Sequence, residues 1–388
     1  MKIIRFFSII LVGLLMFACQ NEQAPEATET TVEVETTVDL EVSEKAGNPW
    51  LKFRGNLENT GVATSDVSKT EPQLLWKGKS SERISTSPST GYGKLFTGAA
   101  DSTFYTVDAR TGDLLWEFKT GGEIRSNALI GEDYVYFGSN DGNFYALDIN
   151  SGELKWKLET GDIIMSSPSL YNDKVYFGSY NGTFYALDKT NGNIVWEFKA
   201  EDAIYTSPAI ANGMVFFGSF DKNLYALDAE TGEKKWQFTA KDVIASSPAV
   251  ANNMVYFGSD DGNMYAVDME NGTLNWEFKT SKPINSTPAV DEANVYFGSY
   301  DYRFYAVDAK TGVKKWEMIA EQLIHSSAAL SNGLVLFGSD DNYLYALDTQ
   351  TGKQVWKFEA QDRVHTSPTV CNGMVFFASF DGYVYCIK

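Results

Sequence analysis

The side chains able to do chemistry are few. The chain has two histidines and three cysteines in 388 residues. His325 and His365 stand 40 residues apart, each just after an apolar residue, Ile324 and Val364. Two imidazoles with no evident carboxylate or third ligand make an incomplete metal site, so no metal is expected there. No serine lies in a nucleophile-elbow setting, and the "GSDDGN" stretch lacks the spaced carboxylates of a calcium loop; its Asp-Gly pairs read as turns. Cys371 and Cys386 bracket "CNGMVFFASFDGYVYC", a hairpin turning at Phe380-Asp381-Gly382. That register places Cys386 opposite Phe376 and leaves Cys371 out of reach, so two buried thiols and no bridge are expected. No catalytic residue, cofactor site or metal site is assigned.

The net charge of −19 and pI near 4.6 disfavour nucleic acid, because an acidic surface is repelled by phosphate backbones. At the N-terminus Lys2 and Arg5 precede an apolar run from Phe6 to Phe17 that is too short to span a bilayer and ends at small Ala18. This reads as an export signal over 1–18. Ala18-Cys19 after such a run resembles a bacterial lipobox, which implies lipidation of Cys19, although Met16 and Phe17 depart from the usual residues; Gln20 would then direct the protein to the outer membrane. Residues 19–48 are rich in Glu and Thr, lack aromatics, and read as an acidic disordered tether. A lead-in over 49–69 follows, with Trp50 and Phe53 as apolar anchors expected to pack on the folded body.

From residue 70 to 388 the chain is periodic. Trp76, Trp116, Trp156, Trp196, Trp236, Trp276, Trp316 and Trp356 are separated by 40 residues every time, and no unit carries an insertion. Within Val243 to Thr280 the runs "IASSPAVA", "MVYFGSD", "NMYAVD" and "LNWEFKT" alternate with the period of strands, separated by Asn252-Asn253, Asp261-Gly262 and Asn271-Gly272. Each unit is therefore a four-stranded antiparallel meander. Leu274, Trp276 and Phe278 fall on the apolar face of the fourth strand. Such sheets bury both faces by packing radially, so the expected fold is all-β, an eight-bladed β-propeller. The strand around Trp76 lacks three strands before it, and the final unit lacks a Trp strand. The N-terminal strand should therefore close the ring as the outer strand of the last blade.

In "ALDAETGEKKW" Asp228 is expected to accept from the turn backbone, Gly232 to allow the reversal, and Trp236 to plug the seam between blades. This AxDxxTGxxxW pattern resembles the tryptophan-docking motif of the PQQ-like eight-bladed propellers, and the resemblance covers residues 70–388. That family includes quinoprotein dehydrogenases and non-enzymatic scaffolds similar to the outer-membrane assembly lipoprotein BamB. In the former the resemblance would imply long insertions, an adjacent cysteine pair, and calcium-binding Glu, Asn and Asp residues; none has a counterpart here. The expectation is a non-enzymatic, lipid-anchored envelope propeller, monomeric, that binds a protein partner. The alternatives are a quinoprotein oxidoreductase or its remnant, and a carbohydrate-binding propeller. Ser85, Arg125, Met165, Tyr205, Ala245, Asn285, His325 and His365 share one column and should ring one mouth of the central channel. Turn tips carrying Tyr180, Phe220, Tyr300 and Phe380 should lie on the same face. Arg125, Tyr205, His325, His365 and those four aromatics are the candidate partner-binding residues.

Overall fold

The computed structural model describes residues 49–388; the expected export signal, Cys19 and the tether lie outside the described residues. Thirty-two strands form eight antiparallel sheets of four strands, each a blade. Among the described residues no helix is long and apolar enough to cross a membrane.

The fifth blade shows how the sequence builds one sheet. Its strands are Ala249–Ala251, Met254–Gly258, Asn263–Asp268 and Leu274–Lys279, joined as a meander. Asn252 and Asn253 both take positive φ, 52° and 63°, which a two-residue hairpin requires and asparagine tolerates. The two middle strands are buried almost throughout, because a neighbouring sheet covers each face. The innermost strand is shorter than the alternation predicts. Pro248 has no N–H to give to the ladder, and the preceding residues bond sideways to the adjacent blades instead.

The outer strand also departs from simple alternation. Ala266 pairs with Trp276 but Val267 pairs with Leu274, so Asn275 has no partner across the ladder. This bulge turns Leu274 away from the seam and leaves it 43% exposed, correcting its assignment to the face of Trp276. The same shift recurs in the other blades whose outer strand follows the third directly.

Two devices join blade to blade. At the rim, Asp228 Oδ1 accepts from the amides of Glu230 and Thr231, as expected, and Gly232 takes φ +74°. A Cβ on Gly232 would meet the Trp196 ring of the preceding blade at 2.7 Å, so glycine serves both the reversal and the indole's seat. Trp236 in turn donates Nε1–H to Met269 O of the following blade at 3.0 Å. At the axis a belt of small polar side chains runs round the channel. The Ser167 amide donates to Ser207 Oγ at 3.0 Å, that of Ser207 to Ser247 Oγ at 2.9 Å, and that of Ser367 to Ser87 Oγ at 2.9 Å, joining the last blade to the first.

The ring closes as expected. Leu74–Lys79 is the outer strand of the last sheet, with Trp76 opposite Cys386, and Gln73 and Lys388 exchange backbone hydrogen bonds of 2.8 and 2.9 Å. Cys386 also lies opposite Phe376, the register expected from the hairpin, and both Cys371 and Cys386 are free and buried.

The lead-in does more than pack on the ring. Trp50 exchanges two backbone bonds with Thr90, and the amides of Ile130, Ile210, Val250, Val290 and Leu330 donate to the carbonyls of Leu51, Leu57, Glu58, Thr60 and Gly61. Those amides belong to the inner strands of five blades, so the segment threads round the channel from blade to blade. Trp50 is a buried anchor, 4% exposed, while Phe53 is only half-buried and reaches the central cavity.

A carboxylate recurs at the turn after the second strand in seven blades, the third having Asn181 in its place. In the second blade Asp141 Oδ2 accepts from the Tyr145 hydroxyl at 2.7 Å and from the Gly121 amide at 2.8 Å. Burial alone would raise this carboxyl, but hydrogen bonds from Tyr145, Asn143 and Gly121 outweigh burial and hold it below its ordinary value. Asp101 is lowered likewise, burial being offset by Ser81, Tyr105 and Thr103. A depressed folded pKa means that the charged form belongs to the fold. Its stabilisation is complete above the unfolded carboxylate value of about 4 and disappears as pH falls through the lower folded values. The thermal midpoint is therefore expected to decline once pH drops below about 4, and an Asp101→Asn, Asp141→Asn variant should decline less steeply. An equal decline in both proteins would refute the assignment.

Candidate functional site

The start of each inner strand lies at one end of the channel, where the crowded axis leaves room for a cavity of about 760 Å³. All eight members of the mouth column line it, as do Tyr180, Phe220, Tyr300 and Phe380, while Phe53 closes it from the lead-in side. The sequence thus placed the wall correctly. It missed how the two sets interlock: the turn tip of one blade meets the column residue 25 positions later, in the next blade.

Tyr180 packs edge-on against Tyr205 at 6.4 Å between centroids and against Phe220 at 5.8 Å. Tyr205 remains 38% exposed, so this cluster presents an aromatic surface to the channel. Beside it the wall is charged. Glu123 Oε1 takes Arg83 Nη2 at 3.1 Å and Arg125 Nε at 3.0 Å, and the Ser85 hydroxyl donates to the same oxygen at 3.1 Å. Burial alone would raise the Glu123 carboxyl; Arg125 and Arg83 outweigh it and hold it below the usual range. One carboxylate between two guanidiniums leaves this arc net positive in an otherwise acidic protein.

On the arc of the sixth to eighth blades the Tyr300 hydroxyl oxygen lies 2.7 Å from His325 Nδ1 and accepts from Asn285 Nδ2 at 3.1 Å. His365 Nδ1 is 3.3 Å from Asp340 Oδ1, and its ring stacks on Phe380 at 4.9 Å. Burial, aided by the adjacent His365, pushes His325 down to about 3, so its imidazole is neutral at ordinary pH. Burial would raise Asp340, but the hydrogen bond and charge of His365 bring it below its ordinary value. The sequence-based premise that the two histidines have no carboxylate neighbour is therefore corrected. Asp340 sits 25 residues before His365, the spacing by which Tyr300 reaches His325, and only the packing of one blade's turn on the next blade reveals it.

Eight equal blades, sealed by indoles at the rim and by a polar belt at the axis around an open-mouthed channel, define a tryptophan-docking β-propeller of PQQ-like repeats. The chain belongs to the family described as outer membrane protein assembly factor BamB, which matches residues 65–163, 160–244, 236–330 and 318–387. Among solved structures, BamB from Moraxella catarrhalis is similar with a TM-score of 0.71 at 20% identity, covering 82% of this chain and 98% of that one. Quinohemoprotein alcohol dehydrogenase from Comamonas testosteroni is similar with a TM-score of 0.78 at 14% identity, covering 88% of this chain and 80% of that one. The computationally designed Ika8 protein gives 0.71 at 20% identity, covering 79% and 96%. These identities carry the fold alone. No curated protein matches the sequence.

The residues present do not fit the calcium and quinone of a dehydrogenase. Among the described residues the group of three metal-capable side chains is His325, Asp340 and His365. Two imidazoles do not suit calcium, which takes six or more oxygens. Cys371 and Cys386 are buried in a blade seam with Trp76 and Phe376, away from the cavity wall.

Proposed function

We propose that this protein acts by binding: a non-enzymatic, lipid-anchored scaffold of the cell envelope that takes a protein partner at the open mouth of its channel. The observation that carries this reading is the aromatic cluster of half-buried Tyr180 and Phe220 with exposed Tyr205, lining the cavity together with the Arg83 and Arg125 pair. Tyrosine and arginine in a concave wall are the residue types that supply most binding energy in protein interfaces. Membership of the BamB family supports an envelope setting and a role in outer-membrane protein assembly; the lipid attachment proposed is Cys19, on the lipobox-like Ala18-Cys19 of the sequence. The lead-in is bonded along the inner strands and reaches the cavity through Phe53, which favours the open mouth as the side of entry.

Substituting Tyr180, Phe220 and Tyr300 together by alanine tests the reading. Quantitative mass spectrometry after affinity purification from the native envelope should recover outer-membrane assembly components with the wild type and roughly tenfold less with the variant, as for loss of about 1.4 kcal/mol or more of hot-spot energy. Equal recovery from a folded variant would remove the support. Reconstitution with PQQ and calcium should yield no alcohol oxidation; turnover would favour the oxidoreductase reading.

A further inference from the structure

The centroids of the His325 and His365 rings are 4.0 Å apart, with the planes inclined by 38°. Asp340 rises from the turn tip beside them. One nitrogen of each imidazole and one Asp340 oxygen lie within 4.8 Å of one another. We propose that these three side chains form a site for a divalent transition-metal ion of the zinc, copper(II) or nickel class, held at the rim of the channel with its remaining coordination positions open to the cavity.

The donor set selects the class of ion. Two imidazole nitrogens and a carboxylate oxygen suit borderline cations, which bind in compact four- to six-coordinate geometry at about 2.0–2.2 Å. Calcium and magnesium, which need an oxygen-rich cage, find one carboxylate here. The approach of the three donors to ordinary ligand spacing needs only small rotations of side chains that border an open cavity.

The surroundings also orient the ligands. The Tyr300 oxygen lies at His325 Nδ1 and Asp340 Oδ1 at His365 Nδ1, so each ring has its δ nitrogen engaged. With its proton on Nδ1, held at Tyr300, His325 offers the Nε2 lone pair; with its proton on Nε2, His365 offers Nδ1, the nitrogen that already faces Asp340. A hydroxyl or carboxylate partner at the second nitrogen is what fixes tautomer and ring direction in metal sites. Asn285 Nδ2 in turn donates to Tyr300 and steadies it. An ion bound between His365 Nδ1 and the Asp340 carboxylate would replace the 3.3 Å contact between them. Arg363 faces His325 and Asp340 and opposes a cation, so the affinity rests on ligand bonds more than on field.

Isothermal titration of the purified full chain, expressed without a histidine tag, with zinc alone decides the matter. The expected result is one ion per chain, with Asp340→Asn weakening binding at least tenfold and His325→Ala, His365→Ala abolishing the stoichiometric step. Cobalt(II) added in place of zinc should give visible ligand-field absorption in the wild type and none in the double variant. Calcium should give no stoichiometric heat. Circular dichroism and an unchanged metal-free thermal midpoint establish that the variants are folded; zinc should raise that midpoint in the wild type alone. Zinc stoichiometry that survives the double histidine substitution, or no one-to-one binding by the wild type at micromolar zinc, would overturn the site.

Discussion

Deleting residues 70–80 abolishes the single cooperative unfolding of the ring, and Trp76→Ala alone lowers stability by about 3–5 kcal/mol, the range for removing a large buried aromatic. The strand Leu74–Lys79 supplies the outer edge of the last blade, and without it the last strand exposes a row of unpaired backbone groups. Trp76 is 1% exposed, packs with Phe376 of the last blade at 6.0 Å, and donates Nε1–H to Ala109 O of the first blade at 3.2 Å. Its cluster joins Ile84, Leu95 and Val107 from the beginning of the repeat to Val384 and Cys386 from the end. One side chain therefore ties the two ends of the chain. The comparison is Trp156→Ala, an internal seam whose indole is less buried and whose Nε1 has no hydrogen-bond partner. There the chain itself keeps the blades together, and the loss should be smaller. Urea and thermal unfolding of the three variants measure the order; a truncated protein that unfolds at the wild-type temperature would refute closure by this strand.

Gly258→Ala is the second large effect, expected to destabilise by roughly 1–3 kcal/mol, as overpacking of a close seam does. Gly258 ends the second strand of its blade, and a Cβ there would fall 2.4 Å from Ile284 Cγ2 and 2.5 Å from Ile284 O of the following blade. A side-chain methyl can rotate away; a carbonyl moves only with its backbone, so the two sheets must separate. The corresponding residue at the closing seam is Ala378, fully buried in the cluster that contains Ile84. That seam is built round a methyl group, and Ala378→Gly should cost about 1 kcal/mol through the void and the freer unfolded chain. Chemical denaturation of both variants checks the pair. A Gly258→Ala protein as stable as the wild type would show that the seam yields more readily than its contacts imply.

Much of the fold was legible because its information is local and repeated. A blade is a meander of adjacent strands, and each short turn carries its own residue requirement, as at Asn252-Asn253 and Gly232. The unpaired strand at Trp76 and the missing one after Ile387 could be matched by counting. The mouth of the channel followed for the same reason, since a column at fixed period must form a ring when the units do. The bulge at Asn275 was less visible, because alternation read along one strand takes no account of how many residues face its neighbour.

By itself, then, the sequence determined the number of blades, their strand order, the closure and the circle of residues around the mouth, since each depends on contacts within about forty residues or on their exact repetition. Only the tertiary structure decided the features that cross from blade to blade. Small serines at the axis carry no outward sign that their hydroxyls accept from the preceding blade's amide, and the lead-in's path depends on amides spread over six blades. Asp340 becomes a neighbour of both histidines for the same reason: sheet packing, not chain proximity, brings a turn tip against the following blade.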